Sequence, residues 1–200
     1  MSAAVLPPAA ESDLRRIRFS RCDVERMLEA GILEGRRFEL IEGELIDKMG
    51  QNPPHAGVIQ FLLEWLAHLF GVQKVRVQLS LELFGPDRDG NTPEPDLAVV
   101  ADAKSEYRRR HPRADETVLV VEVADTSLRQ DLLTKRDIYA RAGVPEYWVV
   151  SIPYRELIVH RGLDNGRYQE VTTLSGNDAL SAASAPGKSI LVKLVFGDEQ

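Results

Sequence analysis

Residues 117–124 read TVLVVEVA, and residues 95–100 read PDLAVV. Runs that are apolar at consecutive positions have no wet face, so they read as strands buried on both sides of a sheet. Each run carries one carboxylate that such a setting penalises: Glu122 sits among Val120, Val121, Val123 and Ala124, and Asp96 opens its run directly after Pro95. A carboxylate stripped of water needs a partner, a metal or a proton. If the two strands pair antiparallel, the start of one lies beside the end of the other, and Asp96 meets Glu122 at one edge of the sheet. Two adjacent carboxylates repel, and a hard cation such as Mg²⁺ relieves the repulsion.

Downstream of this pair, Ser127 and Gln130 form a capping-box pattern for a helix over 128–142, closed by Gly143 and Pro145. Leu128, Leu132, Tyr139 and Ala142 make its apolar stripe, and Lys135 falls inside that stripe. The face that packs on the sheet therefore carries an ammonium, and Asp96 and Glu122 are the anions it needs, with Asp131 one turn away as another partner. Two acids, a cation and a lysine suit phosphodiester hydrolysis, because the cation activates water and the lysine stabilises developing charge.

The spacing predicts further strands at 146–151, 156–161 and 167–173, a small-residue linker at 175–189 and an edge strand at 190–196. Upstream, residues 75–83 alternate Val75, Val77, Leu79, Leu81 and Leu83 with polar residues, a strand with one wet face. Residues 55–70 carry apolar side chains at helical spacing before Gly71. Residues 37–48 (RFELIEGELIDK) read as a hairpin turning at Glu42-Gly43, and Ser20 with Asp23 caps a short helix ending at Gly31. The Ala- and Pro-rich residues 1–12 read as a disordered tail. The expected fold is one α/β (α+β) domain over 13–200, a mixed sheet flanked by helices.

The chain has 200 residues and a net charge of −6, which argues against a protein that coats nucleic acid indiscriminately. A single cysteine, Cys22, rules out an internal disulfide, and no apolar run approaches the ~20 residues of a membrane helix. The expectation is a cytoplasmic protein with no membrane partner. Lys104, Arg108, Arg109, Arg110 and Arg113 cluster in the connection between the Asp96 and Glu122 strands, where a nucleic-acid backbone is expected to pass. No phosphate loop, CxxC pair or nucleophile elbow is present.

FELIEGEL (38–45), His55, EPDLAVV (94–100), LVVEVADTS (119–127), DLLTK (131–135) and YARAGVPEYWVV (139–150), in that order, resemble the Uma-type restriction endonuclease family of the PD-(D/E)XK nuclease superfamily. The resemblance covers residues 37–150 and implies a restriction-endonuclease-like core, about 37–151, and metal-dependent cleavage of DNA. Carried onto this chain, it makes Asp96 and Glu122 ligands of Mg²⁺ (or Mn²⁺), Lys135 the catalytic lysine and Glu39 an auxiliary acid, with His55 and Tyr139 beside them. It also implies a homodimer, because cutting both strands takes two sites. The chain departs from the superfamily pattern at Ala124, where a lysine is expected, so Lys135 must serve from the helix. It departs again at Ser151, where family members often carry Asp. Read without the resemblance, Glu39 is a solvated hairpin acid, His55 a helix-start histidine and Tyr139 a core aromatic. A non-catalytic scaffold with a nuclease fold, or a hydrolase acting on RNA, are the alternatives.

Overall fold

The computed structural model describes residues 16–48, 50 and 52–197, so the tail expected at 1–12 lies outside the described residues. The chain runs α1 (Arg21–Glu29), β1 (Phe38–Ile41), β2 (Glu44–Asp47), α2 (Pro53–Phe70), β3 (Val75–Val77), β4 (Leu97–Val100) and β5 (Thr117–Ala124). Then comes α3, whose turns Leu128–Gln130, Asp131–Lys135 and Arg136–Arg141 follow one another without a break. After it come β6 (Tyr147–Ser151), β7 (Glu156–Asp164), β8 (Arg167–Ser175), β9 (Ala179–Leu180), β10 (Ile190–Leu191) and α4 (Val192–Val195).

Six strands form one mixed sheet in the order β3-β4-β5-β6-β7-β8. Only β5 and β6 are parallel, and α3 makes the crossover that a parallel pair requires. The strand period of two then assigns every side chain of β5. Leu119, Val121 and Val123 pack with α2, whereas Val120 and Ala124 pack with Ile138 and Tyr139 of α3. Both faces are covered, which is why TVLVVEVA is apolar throughout. Glu122 belongs to the α3 face, opposite Lys135.

The local signals at the ends of the elements have physical counterparts. Ser20 Oγ accepts from the Asp23 amide while Asp23 accepts from the Ser20 amide, a complete capping box. Glu42 (φ 48°) and Gly43 (φ 78°) make the left-handed hairpin turn, and a Cβ on Gly43 would stand 2.7 Å from Arg18 Cβ. Asn52 caps α2, with Oδ1 accepting from the His55 amide at 3.0 Å.

Four expectations are corrected. The strand at 75–83 ends at Val77, because Gln78 turns into the left-handed region (φ 49°). Leu81 and Leu83 are nonetheless buried, packed in the α3-side cluster rather than in a ladder. The capping box at Ser127 does not form: Ser127 is already helical, and its hydroxyl donates instead to Asp131 Oδ2 at 2.5 Å. The linker at 175–189 contains β9 and the buried Leu180 and Ala182. The edge strand at 190–196 is the two-residue β10, which pairs with β9 and turns into α4, closing the core cluster beside α2. Glu146, fully buried, anchors this lobe by accepting from the Ala183 amide, Trp148 Nε1 and Arg161 Nε at 2.7–2.8 Å.

Candidate active site

The antiparallel register places Leu97 opposite Val121, so Asp96 and Glu122 arrive at the same end of neighbouring strands. Asp96 is tied down before any ligand binds. Its Oδ2 accepts from the Val123 amide at 2.8 Å, and its Oδ1 accepts from Gln78 Nε2 at 3.2 Å. The left-handed turn at Gln78 is what brings that amide to the carboxylate. His55, on the first turn of α2, has Nε2 3.7 Å from Asp96 Oδ2, and its Nδ1 is buried with no partner among the described residues.

Glu122 Oε1 accepts from Tyr139 Oη at 2.7 Å and from Lys135 Nζ at 3.0 Å. No described residue donates to Oε2. Lys135 also meets Glu39 Oε1 at 2.8 Å and Asp131 Oδ1 at 3.5 Å. Glu39 is therefore no solvated hairpin acid: β1 packs it inward, and its Oε2 accepts from the Glu94 amide at 3.2 Å. Asp131 and Lys135, four residues apart, face the same way, and the turn Asp131–Lys135 is a π-turn, with the Arg136 amide donating back to the Asp131 carbonyl. Tyr147 Oη donates to that carbonyl at 3.0 Å and pins the wide turn from the sheet.

Four carboxylates, of Glu39, Asp96, Glu122 and Asp131, are thus buried, three of them in contact with one buried ammonium. Burial pushes the Glu122 carboxyl up to about 8, the charges of Asp131, Glu39 and Asp96 adding to it and Lys135 opposing. Burial likewise raises Asp131. Burial alone would lower Lys135, but Glu122, Glu39 and Asp131 outweigh it and hold the ammonium well above its ordinary value. Tyr139 stays a neutral hydrogen-bond donor, raised by burial and by Glu122. Glu39, Asp96, Glu122 and Lys135 line a cleft of ≈ 360 Å³ whose rim includes Arg37, Lys48, Asn52 and Asp125. Asn52 Nδ2 donates to Asp125 Oδ2 at 2.6 Å across that rim.

This surplus of negative charge fits a divalent cation. Among the described residues no three acids or histidines stand ready as a cage. Mg²⁺ suits that, since it usually keeps several waters and takes one or two carboxylates. Among the acids that line the cleft, Asp96 and Glu122 sit at the same end of neighbouring strands.

The structure brings together Glu39, His55, Asp96, Glu122, Lys135 and Tyr139. It does not bring the basic cluster to them. The β4–β5 connection leaves after Val100 and returns at Thr117, at the far end of both strands. Glu122 lies five residues further on, roughly 17 Å at ~3.3 Å per residue. Within that connection Lys104 and Arg110 pair with Glu116 at 2.7 and 2.8 Å, and Arg113 with Asp115 at 3.0 Å. Hydrogen bonds from Arg110 above all, and from the Arg113 amide and Lys104, hold the Glu116 carboxyl well below its ordinary value, against a smaller opposing effect of burial. A depressed carboxyl stabilises the fold above its unfolded value of 4.5 and ceases to as pH falls toward the folded value. Urea midpoints between pH 6 and 3 should therefore fall less steeply for Glu116→Gln than for the wild type; parallel curves would contradict this.

Asp131, Gln78 and Tyr147 were not singled out from the sequence as site residues. Asp131 was visible only as a helical neighbour of Lys135, and no spacing rule marks a π-turn or a left-handed glutamine.

The sequence matches the family described as Uma2, "Putative restriction endonuclease", over residues 23–193. The fold is similar to that of a crystal structure described as "a putative nuclease belonging to DUF820", from Anabaena variabilis. The TM-score is 0.63 at 17% identity, over 80% of this chain and 90% of that one. No curated protein matches the sequence. No helix among the described residues is long and apolar enough to cross a membrane.

Proposed function

The chain belongs to the Uma2 family, and on that premise we propose that it is a metal-dependent nuclease hydrolysing phosphodiester bonds in DNA. The observation that carries the reading is the convergence of β1, the start of β4, β5 and α3 on one cleft, lined by Glu39, Asp96, Glu122 and Lys135, whose ammonium three buried carboxylates hold. Asp96 and Glu122 would hold Mg²⁺, or Mn²⁺ in its place, which when bound polarises the phosphoryl oxygen and lowers the pKa of a water. The chain supplies the rest. The Val123 amide and Gln78 orient Asp96, and Tyr139 orients Glu122, so neither carboxylate must reorganise. Lys135 Nζ lies beside Glu122, where it can hold the attacking water and offset charge gathering on the phosphate. Glu39 and Asp131 keep that ammonium charged and in place. Cleavage of both strands of a duplex takes two such clefts, which a homodimer would provide.

The test is a substrate panel (duplex DNA, single-stranded DNA and RNA) incubated with Mg²⁺, Mn²⁺ or EDTA. The expected result is cation-dependent cleavage of DNA that EDTA abolishes. Cleavage of RNA alone would move the substrate, and no cleavage of any of them by a folded chain would sink the reading.

A further inference from the structure

We propose that Arg76, its guanidinium over the Tyr107 ring, forms with Arg108 and Arg109 a phosphate-backbone contact that continues the catalytic cleft along β3 toward the β4–β5 connection. The inference rests on the nuclease reading for its substrate, a polynucleotide. Its own support lies elsewhere in the molecule.

The basic cluster divides in two. Lys104, Arg110 and Arg113 are matched by Glu116 and Asp115, and a guanidinium already paired has little left for a phosphate. Among the described residues no acid pairs with Arg108, Arg109 or Arg76, and Arg108 and Arg109 are exposed. Arg76 is the unusual one. Its guanidinium lies 6.0 Å from the centre of the Tyr107 ring, and that of Arg110 lies 5.2 Å from the same ring. Its Nε is buried and has no hydrogen-bond partner among the described residues. A buried cationic donor left unpaired is costly, and such groups in folded proteins usually await a water or a ligand. Tyr107 is itself buried, so the ring is a fixed platform that holds Arg76 in place.

Position decides what the ligand is. Arg76 stands opposite Ala98 in the ladder, two residues before Gln78, whose amide holds Asp96. At ~3.3 Å per residue that is about 7 Å from the edge of the cleft. Arg108 and Arg109 follow Tyr107 directly in the chain and are exposed. Several unpaired guanidiniums, the first of them near a phosphodiester-cleaving cleft, fit successive phosphates of one backbone better than a single anion. It would also give an acidic chain, net −6, a local basic footing for a polyanion.

The test is fluorescence anisotropy of a labelled 20-mer, single-stranded and duplex, in EDTA so that nothing is cut, between 50 and 200 mM KCl. Arg76→Ala is expected to weaken binding about tenfold and to lower the slope of log K against log salt by about one. Arg108→Glu/Arg109→Glu, on the exposed loop and unable to disturb the core, should weaken it further. Lys104→Ala should change little. Unchanged affinity and slope in both the Arg76 and the Arg108/Arg109 variants, with a wild type that binds, would overturn the proposal and leave the nuclease reading standing. Weakened binding in a chain that cuts nothing would support the contact and remove the catalysis. A wild type that binds neither form of the 20-mer overturns it as well.

Discussion

Lys135→Met should destabilise the cation-free chain by about 3–5 kcal/mol, the usual cost of removing one partner from a buried ion pair. Methionine nearly matches the stem of lysine, so little packing is lost. What remains is Glu39, Glu122 and Asp131 facing a hole where the ammonium stood at 2.8, 3.0 and 3.5 Å. The Glu94 amide, Tyr139 and Ser127 still donate to them, but their charge can be neutralised only by a proton or a cation. The deficit should therefore be larger at pH 8 than at pH 5, where protons can be taken up, and Mg²⁺ should restore part of it. Urea denaturation at the two pH values, with and without Mg²⁺, measures all three effects. A loss below about 1 kcal/mol at pH 8 would mean that the lysine reaches solvent and the cluster is held by something else.

Glu122→Gln separates an enzyme from a scaffold. The amide keeps an oxygen for Tyr139 and Lys135, so the melting temperature should stay within a few degrees of the wild type. The same change removes the charge that a cation requires. Cleavage should fall by a factor on the order of 10²–10³ or more, the scale of losing one preorganised electrostatic contact. The rise in melting temperature on adding Mg²⁺ should disappear. Initial rates and thermal melts on one preparation decide it; a variant that cuts within threefold of the wild type would place any cation away from Glu122.

Much of the architecture could be read from runs and spacings because those residues answer to one local rule each. TVLVVEVA became β5 at its expected bounds, since a strand covered by α2 on one side and α3 on the other can only be apolar throughout. The meeting of Asp96 and Glu122 followed from antiparallel pairing, which the ladder has. What could not be read depended on geometry without periodicity. The π-turn at Asp131 widens the helix by one residue beside a fourth buried acid. Gln78 breaks an alternating pattern that looked continuous to Leu83, because the chain must bend to present its amide to Asp96. The placing of the basic loop erred for a different reason. A connection between antiparallel neighbours leaves from the end opposite the one where Asp96 starts and Glu122 lies, and the same pairing that joined the two acids carried the loop away from them. Arg76 reads in 75–83 as an ordinary residue of a wet face; only Tyr107, arriving from that loop, makes it unusual.

The most direct measurement is plasmid cleavage by the wild type and by Asp96→Ala, side by side, with Mg²⁺, Mn²⁺ and EDTA. A cation-dependent nuclease centred on Asp96 and Glu122 nicks or linearises the plasmid with either cation, does nothing in EDTA, and loses the activity in the variant while keeping its fold. Equal cutting by both chains, or cutting that persists in EDTA, would contradict it.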